Sequence, residues 1–338
     1  MKAIVVDKPF GMRITDVNTP RIKDDEVLIK VISGGICGSD IAIYNGTNSL
    51  ATYPRLIGHE FGGKVVKTGK DVTSMKLNDI VAVDPVRACG HCYACRIGRH
   101  NVCATLEVMG VHRDGGFAEY VAAPAKFLYS LDTSKVDARF ACLVEPYSIG
   151  VQVNHRGNVV KGDKMLIMGS GPIGLCIMQV AKSRGASVMM TDIFDERLVR
   201  AKDMGADFTV NVKKETLLDC VMEWTNKEGA MIIADTVCST ASFSEALLLA
   251  CPAGRVVTLG LIDKPSKVAQ VTITKKELDV KGSRLNNSRF SEVIEGFESG
   301  TLTPHKLCSN IIPFKDVAEA FRLIKEHPEQ VCKIVMEF

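Results

Sequence analysis

The 338-residue chain lacks several features that would have placed it quickly. No apolar stretch reaches the roughly 20 residues needed to span a bilayer. The opening segment, MKAIVVDKPFGMRITD, turns polar within a few residues and has no long apolar core of the kind an export signal carries. The net charge is only +3 and is not gathered into a basic run, so nothing argues for nucleic acid or an anionic membrane surface as partner. There is no repeat and no low-complexity tract. Hydrophobic residues at 46% and charged residues at 24% are ordinary globular usage. A chain this long is expected to form two domains with full cores. With no export signal the expected location is the cytoplasm. There the twelve cysteines should stay reduced.

What is present divides the chain. Up to about residue 150 it reads as short strands rich in Val and Ile, at 3–7, 27–36, 63–69, 79–85 and 117–124, punctuated by Gly, Asp, Asn and Pro. This predicts an antiparallel β domain with long loops. From about 160 the texture changes to alternation. Strand-like KMLIMG (164–169) is followed by a helix from Pro172 to about Arg184, strand-like SVMMTD (187–192), and a charged helix from about Asp195 to Met204. Further strands at 231–237, 255–261 and 278–283 read as buried. This pattern predicts a parallel sheet covered on both faces. The end of the chain returns to mixed texture and closes on strand-like CKIVMEF (332–338).

Between the first parallel strand and its helix lies GSGPIG (169–174). Gly169, Gly171 and Gly174 fit the G-x-G-x-x-G pattern. The first permits a tight turn, the second lets backbone approach a pyrophosphate, and the third lets helix and strand pack closely. Pro172 and Ile173 open the helix, whose free N–H groups would face the phosphates. The next strand ends in Asp192, 18 residues beyond Gly174. A carboxylate there accepts hydrogen bonds from ribose hydroxyls and repels a 2′-phosphate, which favours NAD over NADP. Arg197 lies close enough to soften that preference. The competing reading is a glycine turn that merely joins strand to helix.

Cys89, Cys92, Cys95 and Cys103 follow the spacing C-x2-C-x2-C-x7-C. Four thiolates suit a closed tetrahedral zinc site of structural role. An iron–sulfur cluster takes the same ligand type, and His91 or His100 could replace a cysteine. A second set of metal-ligand types, Cys37, His59, Glu60 and Glu145, is dispersed, and spacing alone does not bring these residues together.

In combination, GICGSD (35–40), GHEFGG (58–63), the four-cysteine segment, DGGFAEY (114–120), EPYS (145–148) and GSGPIG, in this order and at these intervals, resemble the zinc-dependent medium-chain dehydrogenase family over essentially the whole chain. The nearest resemblance is to sorbitol, threonine and bacterial sugar-acid 5-dehydrogenases. It implies an α/β protein: a GroES-like β-rich catalytic domain from residues 1–150 and 287–338, and an inserted doubly wound Rossmann domain over 151–286. The active site would lie in the cleft. It further implies that Cys37, His59 and Glu145 hold a catalytic zinc, with Glu60 bound directly or through water. Two zinc ions per chain follow, with NAD as the second cofactor. Zinc would act as Lewis acid on a substrate hydroxyl while the nicotinamide takes hydride. Ser39 matches the family's hydroxyl for the first proton step, but the histidine often found three residues later is here Ala42, so the onward relay must differ. Arg284, in the segment that reaches the family's cleft, could grip a carboxylate, with Asn286 or Asn287 on hydroxyls. Cofactor binding or plain solvation is the competing reading of Arg284. The expected substrate is a sugar acid such as L-galactonate, L-gulonate or L-idonate. The alternatives are a polyol, threonine or butanediol, or a non-catalytic NAD-binding sensory protein. A zinc-free quinone reductase would leave Cys37, His59 and Glu145 unexplained. Relatives are homodimers or homotetramers, and the same is expected here.

Overall fold

The computed structural model describes Met1–Phe338. The chain falls into two compact units, one formed by Met1–Ser148 with Asn286–Phe338 and the other by Ile149–Leu285. These bounds lie within two residues of the divisions after 150 and 286 that the family resemblance implies.

The Ile149–Leu285 unit is built on six parallel strands. From edge to edge they run Phe208–Asn211, Ser187–Asp192, Lys164–Met168, Ala230–Asp235, Ala250–Thr258 and Asp279–Gly282. The order reverses beside the first strand in sequence, which is the doubly wound arrangement. The central strands are continuous apolar runs because both faces are covered. Leu166, Met168, Val221, Ile233, Leu247 and Val256 share one core. The helix Pro172–Ser183 starts on proline and is buried from Gly174 to Ala181. It stops where Gly185 takes a φ of 81°. One expectation fails here. The segment 278–283 was read as a buried strand, yet Asp279, Val280 and Gly282 are exposed. They form the sheet's edge, and a short apolar run does not distinguish an edge strand from a central one.

The other unit is organised around the strand Glu26–Gly35. It pairs antiparallel with Glu60–Thr68, with Tyr120–Pro124 and with the last strand, Lys333–Glu337. Ile80–Val83 and Leu128–Leu131 extend the sheet on one side, and Cys308–Pro313 on the other. Val27, Ile29, Phe61, Val65, Val81 and Val121 pack beneath it. A second sheet joins Gly11–Asp16, Lys2–Lys8 and Arg55–Leu56. The strands before residue 150 pair antiparallel as expected, whereas Cys308–Pro313 and Lys333–Glu337, near the end of the chain, are parallel. The helix Val317–Glu326 between them supplies the crossover that a parallel pair requires. No helix is long and apolar enough to cross a membrane.

Candidate active site and dinucleotide site

The strand register assembles the first cluster. Gly35 stands opposite Glu60 on one side and Val335 on the other. Two residues beyond Gly35 the chain turns into a helix, Gly38–Tyr44, with Cys37 at its N-cap. Asp40, in the first turn, accepts a hydrogen bond from the Cys37 N–H at 2.9 Å and another from the Gly58 N–H at 3.2 Å. Gly58 has a φ of 98°, and a Cβ there would collide with the Phe117 ring, so this turn requires glycine. The turn delivers His59. Its Nε2 lies 3.3 Å from Ser39 Oγ, and its Nδ1 faces Asp40 Oδ1 at 3.7 Å. Ligand atoms of Cys37, His59 and Glu60 all lie within 4.8 Å of one another.

Two residues of this site are not among those the sequence points to. Asp40 is fully buried and braces both the Cys37 and the His59 segments. Lys333 is 3% exposed, and its ammonium donates to both Glu60 oxygens, at 2.8 and 2.9 Å, and to the Ile36 carbonyl at 3.1 Å. Its ion-pair partner Glu60 lies 273 residues away in the chain. The spacing of Asp40 after Cys37, three residues on as in a capping box, is the one local hint.

Glu145 opens the helix Val144–Gly157 and is buried. It lies outside the group of three ligand residues, although its charge acts on His59. Burial pushes its carboxyl up to about 8, opposed by His59 and reinforced by Glu60. Burial also disfavours a charged His59, but the Cys37 and Asp40 charges outweigh it and raise the imidazole well above its ordinary range. One thiol, one imidazole and three acids are thus packed around a single lysine. A dication offsets this donor set, and sulfur, nitrogen and carboxylate oxygen are the ligands zinc takes.

The four-cysteine segment folds around its own centre. Cys92 Sγ lies 3.6 Å from Cys95 Sγ and 3.9 Å from Cys103 Sγ. A tetrahedron with zinc–sulfur bonds of about 2.3 Å has edges of about 3.8 Å. Sulfurs so spaced converge on one ion, and none is in a disulfide. The Cys89 N–H points at Cys103 Sγ at 3.2 Å and, with other backbone donors, lowers that thiol to about 6, although burial opposes this. His91 and His100 are not among the converging atoms.

In the parallel unit, Gly169 has a φ of 101° at the end of the first strand. A Cβ on Gly174 would collide with the Gly169 carbonyl oxygen, whereas a Cβ on Gly171 would meet nothing within 4 Å. Packing explains the third glycine but not the second. Open space at Gly171 fits a group that lies against the backbone at the helix start. Gly169, Gly171, Pro172, Ile173, Gly174 and Asp192 line a cavity of about 550 Å³. Asp192 accepts from the N–H groups of Ser170 at 3.0 Å, Ile193 at 2.8 Å and Phe194 at 3.2 Å. Arg197 lies 3.7 Å from the Asp192 carboxylate and over the Phe194 ring at 5.2 Å. A larger cavity, about 910 Å³, contains none of the metal-ligand candidates.

Arg284 is half-buried just after the edge strand. Asn286 is buried and donates to Asp84 Oδ1 at 3.4 Å. Asn287 bonds the four-cysteine lobe, accepting from the His100 N–H at 3.1 Å and donating to the Gly98 carbonyl at 2.8 Å.

Residues 23–133 match the alcohol dehydrogenase GroES-like domain, and residues 172–299 match the zinc-binding dehydrogenase domain. The starvation-sensing protein RspB of Escherichia coli K12 is 41% identical, over 100% of this chain and 99% of its own length. The L-threonine 3-dehydrogenase of Bacillus velezensis is 33% identical, over 96% of each chain. A crystal structure of an alcohol dehydrogenase (rspB) from E. coli CFT073, complexed with NADH, superposes with a TM-score of 0.94. It is 40% identical and covers 100% of this chain and 99% of that one. The chain therefore belongs to the zinc-type medium-chain dehydrogenase family. It is an NAD-dependent alcohol dehydrogenase that acts on a small-molecule alcohol, with zinc and NAD as its cofactors.

Proposed function

We propose that the protein oxidises a secondary hydroxyl of a sugar acid, such as L-galactonate or L-gulonate, to the ketone. In this reading Cys37, His59 and Glu145 hold the catalytic zinc, and Glu60 stands by as an exchangeable ligand. Cys89, Cys92, Cys95 and Cys103 hold the structural zinc. The observation that carries the Cys37–His59 assignment is the convergence of these two with Glu60 to within 4.8 Å, while Glu145 enters on the family resemblance and its burial nearby. The unit Met1–Ser148 with Asn286–Phe338 is then the catalytic domain, and Ile149–Leu285 the dinucleotide domain.

When bound, zinc supplies Lewis acidity to the substrate hydroxyl, and NAD accepts the hydride equivalent. The protein's own side chains do the rest. Asp40 holds the backbone at Cys37 and at Gly58, the residue before His59, and its charge faces the His59 ring. Ser39 Oγ, 3.3 Å from His59 Nε2, takes the substrate proton first. Ala42 offers no imidazole for the next step, so the proton passes to water, the ribose hydroxyl or Glu60. In the dinucleotide domain, Gly169, Gly171, Pro172, Ile173 and Gly174 seat the pyrophosphate, and Asp192 takes the ribose hydroxyls. Arg197, already committed to Asp192 and Phe194, sits at the edge of that pocket.

Arg284 supports a carboxylate-bearing substrate because its guanidinium can hold a carboxylate bidentately. The hydroxyl-binding role proposed for Asn286 must share that side chain with Asp84. A homodimer or homotetramer in the cytoplasm completes the proposal. The alternative of an NAD-binding sensor without catalysis does not fit a member of the NAD-dependent alcohol dehydrogenases, although a relative at 41% identity is named for starvation sensing. Incubation with NAD and a panel of aldonates, neutral polyols and threonine tests all of this. NADH formed from an aldonate, with KM raised about tenfold or more in Arg284→Ala, supports the sugar-acid reading. NADH from polyols or threonine alone overturns it. Silence across the panel with NAD bound places the alcohol outside the panel and likewise overturns the sugar-acid reading.

A further inference from the structure

Lys333 sits on the last strand, far in sequence from every metal-ligand candidate. Sheet register carries it to them. Val335 pairs with Gly35, and Gly35 with Glu60. Lys333, two residues before Val335, projects from the same face of its strand. All three ammonium hydrogens are used, two on the Glu60 carboxylate and one on the carbonyl of Ile36, the residue before Cys37. Gly35 completes the seat, since a Cβ there would collide with Glu60 Oε2. One cation therefore grips both the strand that leads into Cys37 and the carboxylate beside His59.

We propose that Lys333 is a positioning residue that sequesters Glu60 and so keeps one coordination position of the Cys37–His59 metal free for substrate. Charge compensation decides where Glu60 sits. A carboxylate only 1% exposed needs a cation within reach. Two permanent ones are available, the Lys333 ammonium and a metal among ligand atoms no more than 4.8 Å from a Glu60 oxygen. While Lys333 binds both oxygens, Glu60 reaches the metal only by giving up a charge-assisted hydrogen bond. Without the ammonium, the metal is the one remaining permanent partner. The inference rests on placing the catalytic zinc at Cys37 and His59, and it is independent of which alcohol is oxidised.

The test uses the full chain, with zinc in the four-cysteine lobe and cobalt(II) in the other site. Metal release to a chelator, the visible cobalt spectrum and steady-state kinetics are compared for Lys333→Met, Lys333→Arg and the double variant Lys333→Met/Glu60→Gln. Expected for Lys333→Met are release slowed about tenfold as the freed carboxylate binds the metal, about 1.4 kcal/mol, weaker visible absorption as coordination number rises, and a fall in kcat. Lys333→Arg should behave as the parent, and the double variant should regain fast release. The double variant removes both charges of the buried pair and so leaves no uncompensated buried charge, which keeps it informative if the single one is unstable. Release from Lys333→Met that is unchanged or faster, with no effect of adding Glu60→Gln, overturns the proposal and leaves Lys333 a brace for the sheet. Cobalt retained by Cys37→Ala would instead refute the underlying metal assignment, which separates the two failures.

Discussion

Replacing Asp40 with asparagine removes one charge and almost no volume, which makes it a sharp test of how the site is held. Asp40 is fully buried, and its two oxygens take different donors: Oδ2 the Cys37 N–H and Oδ1 the Gly58 N–H, with His59 Nδ1 3.7 Å from Oδ1, beyond hydrogen-bond distance. An asparagine keeps one oxygen. Its amide NH2 must then point either at the Cys37 N–H or at the Gly58 N–H, donor against donor. Leaving one buried N–H unsatisfied costs about 1–3 kcal/mol. Loss of a carboxylate beside a metal-ligating histidine typically weakens metal affinity about 10–100-fold, or about 1.4–2.7 kcal/mol. The two routes give the same size of effect. Zinc affinity measured by chelator competition should fall by that factor. NADH formation at saturating zinc should recover only in part, because the backbone at Cys37 and Gly58 is no longer fully held. Affinity within twofold of the parent, in a variant that folds normally, would refute the view that Asp40 organises the site.

Gly174→Ala should raise the Kd for NADH at least about tenfold and lower Tm, because its methyl group meets the Gly169 carbonyl oxygen; fluorescence titration of NADH checks this. Gly171→Ala should weaken NADH binding with little change in Tm, because a methyl group there meets no protein atom and blocks only the cofactor. Asp192→Ala should erode the preference for NAD over NADP, read as the ratio of kcat/KM for the two cofactors; an unchanged ratio would remove Asp192 from cofactor selection. Cys103→Ser should cost one zinc per chain by metal analysis and loosen the lobe that Asn287 ties down, while Cys37 and His59 keep theirs.

Sequence made the local chemistry legible wherever it is written within a few residues. The glycine loop, its flanking strand and helix, and Asp192 lie in one continuous stretch, and periodicity placed them correctly. The four cysteines are close enough that spacing alone brings the sulfurs together. Cys37, His59 and Glu60 were legible only through the combined motifs, because sheet pairing, not proximity in the chain, unites them. Lys333 escaped notice for the same reason: its meaning lies in the pairing of Val335 with Gly35 across some 300 residues. Asp40 sat inside a motif already singled out, but a buried acid and a surface acid look alike in sequence. The edge strand at 279–282 was misread as buried because Val280 gives no hint of which flank is unpaired. The parallel pairing of the last two strands depended on the intervening helix, Val317–Glu326, which no strand-like pattern reveals.

The measurement that bears most directly on the account is a parallel assay of zinc content and NAD-dependent alcohol oxidation in the parent and in Cys37→Ala. Two groups of converging ligands predict two zinc ions per parent chain. The account predicts one zinc in the variant, NADH binding unchanged, and no NADH produced from any alcohol the parent oxidises. A variant that keeps both zinc ions, or that still produces NADH at the parent rate, would contradict it.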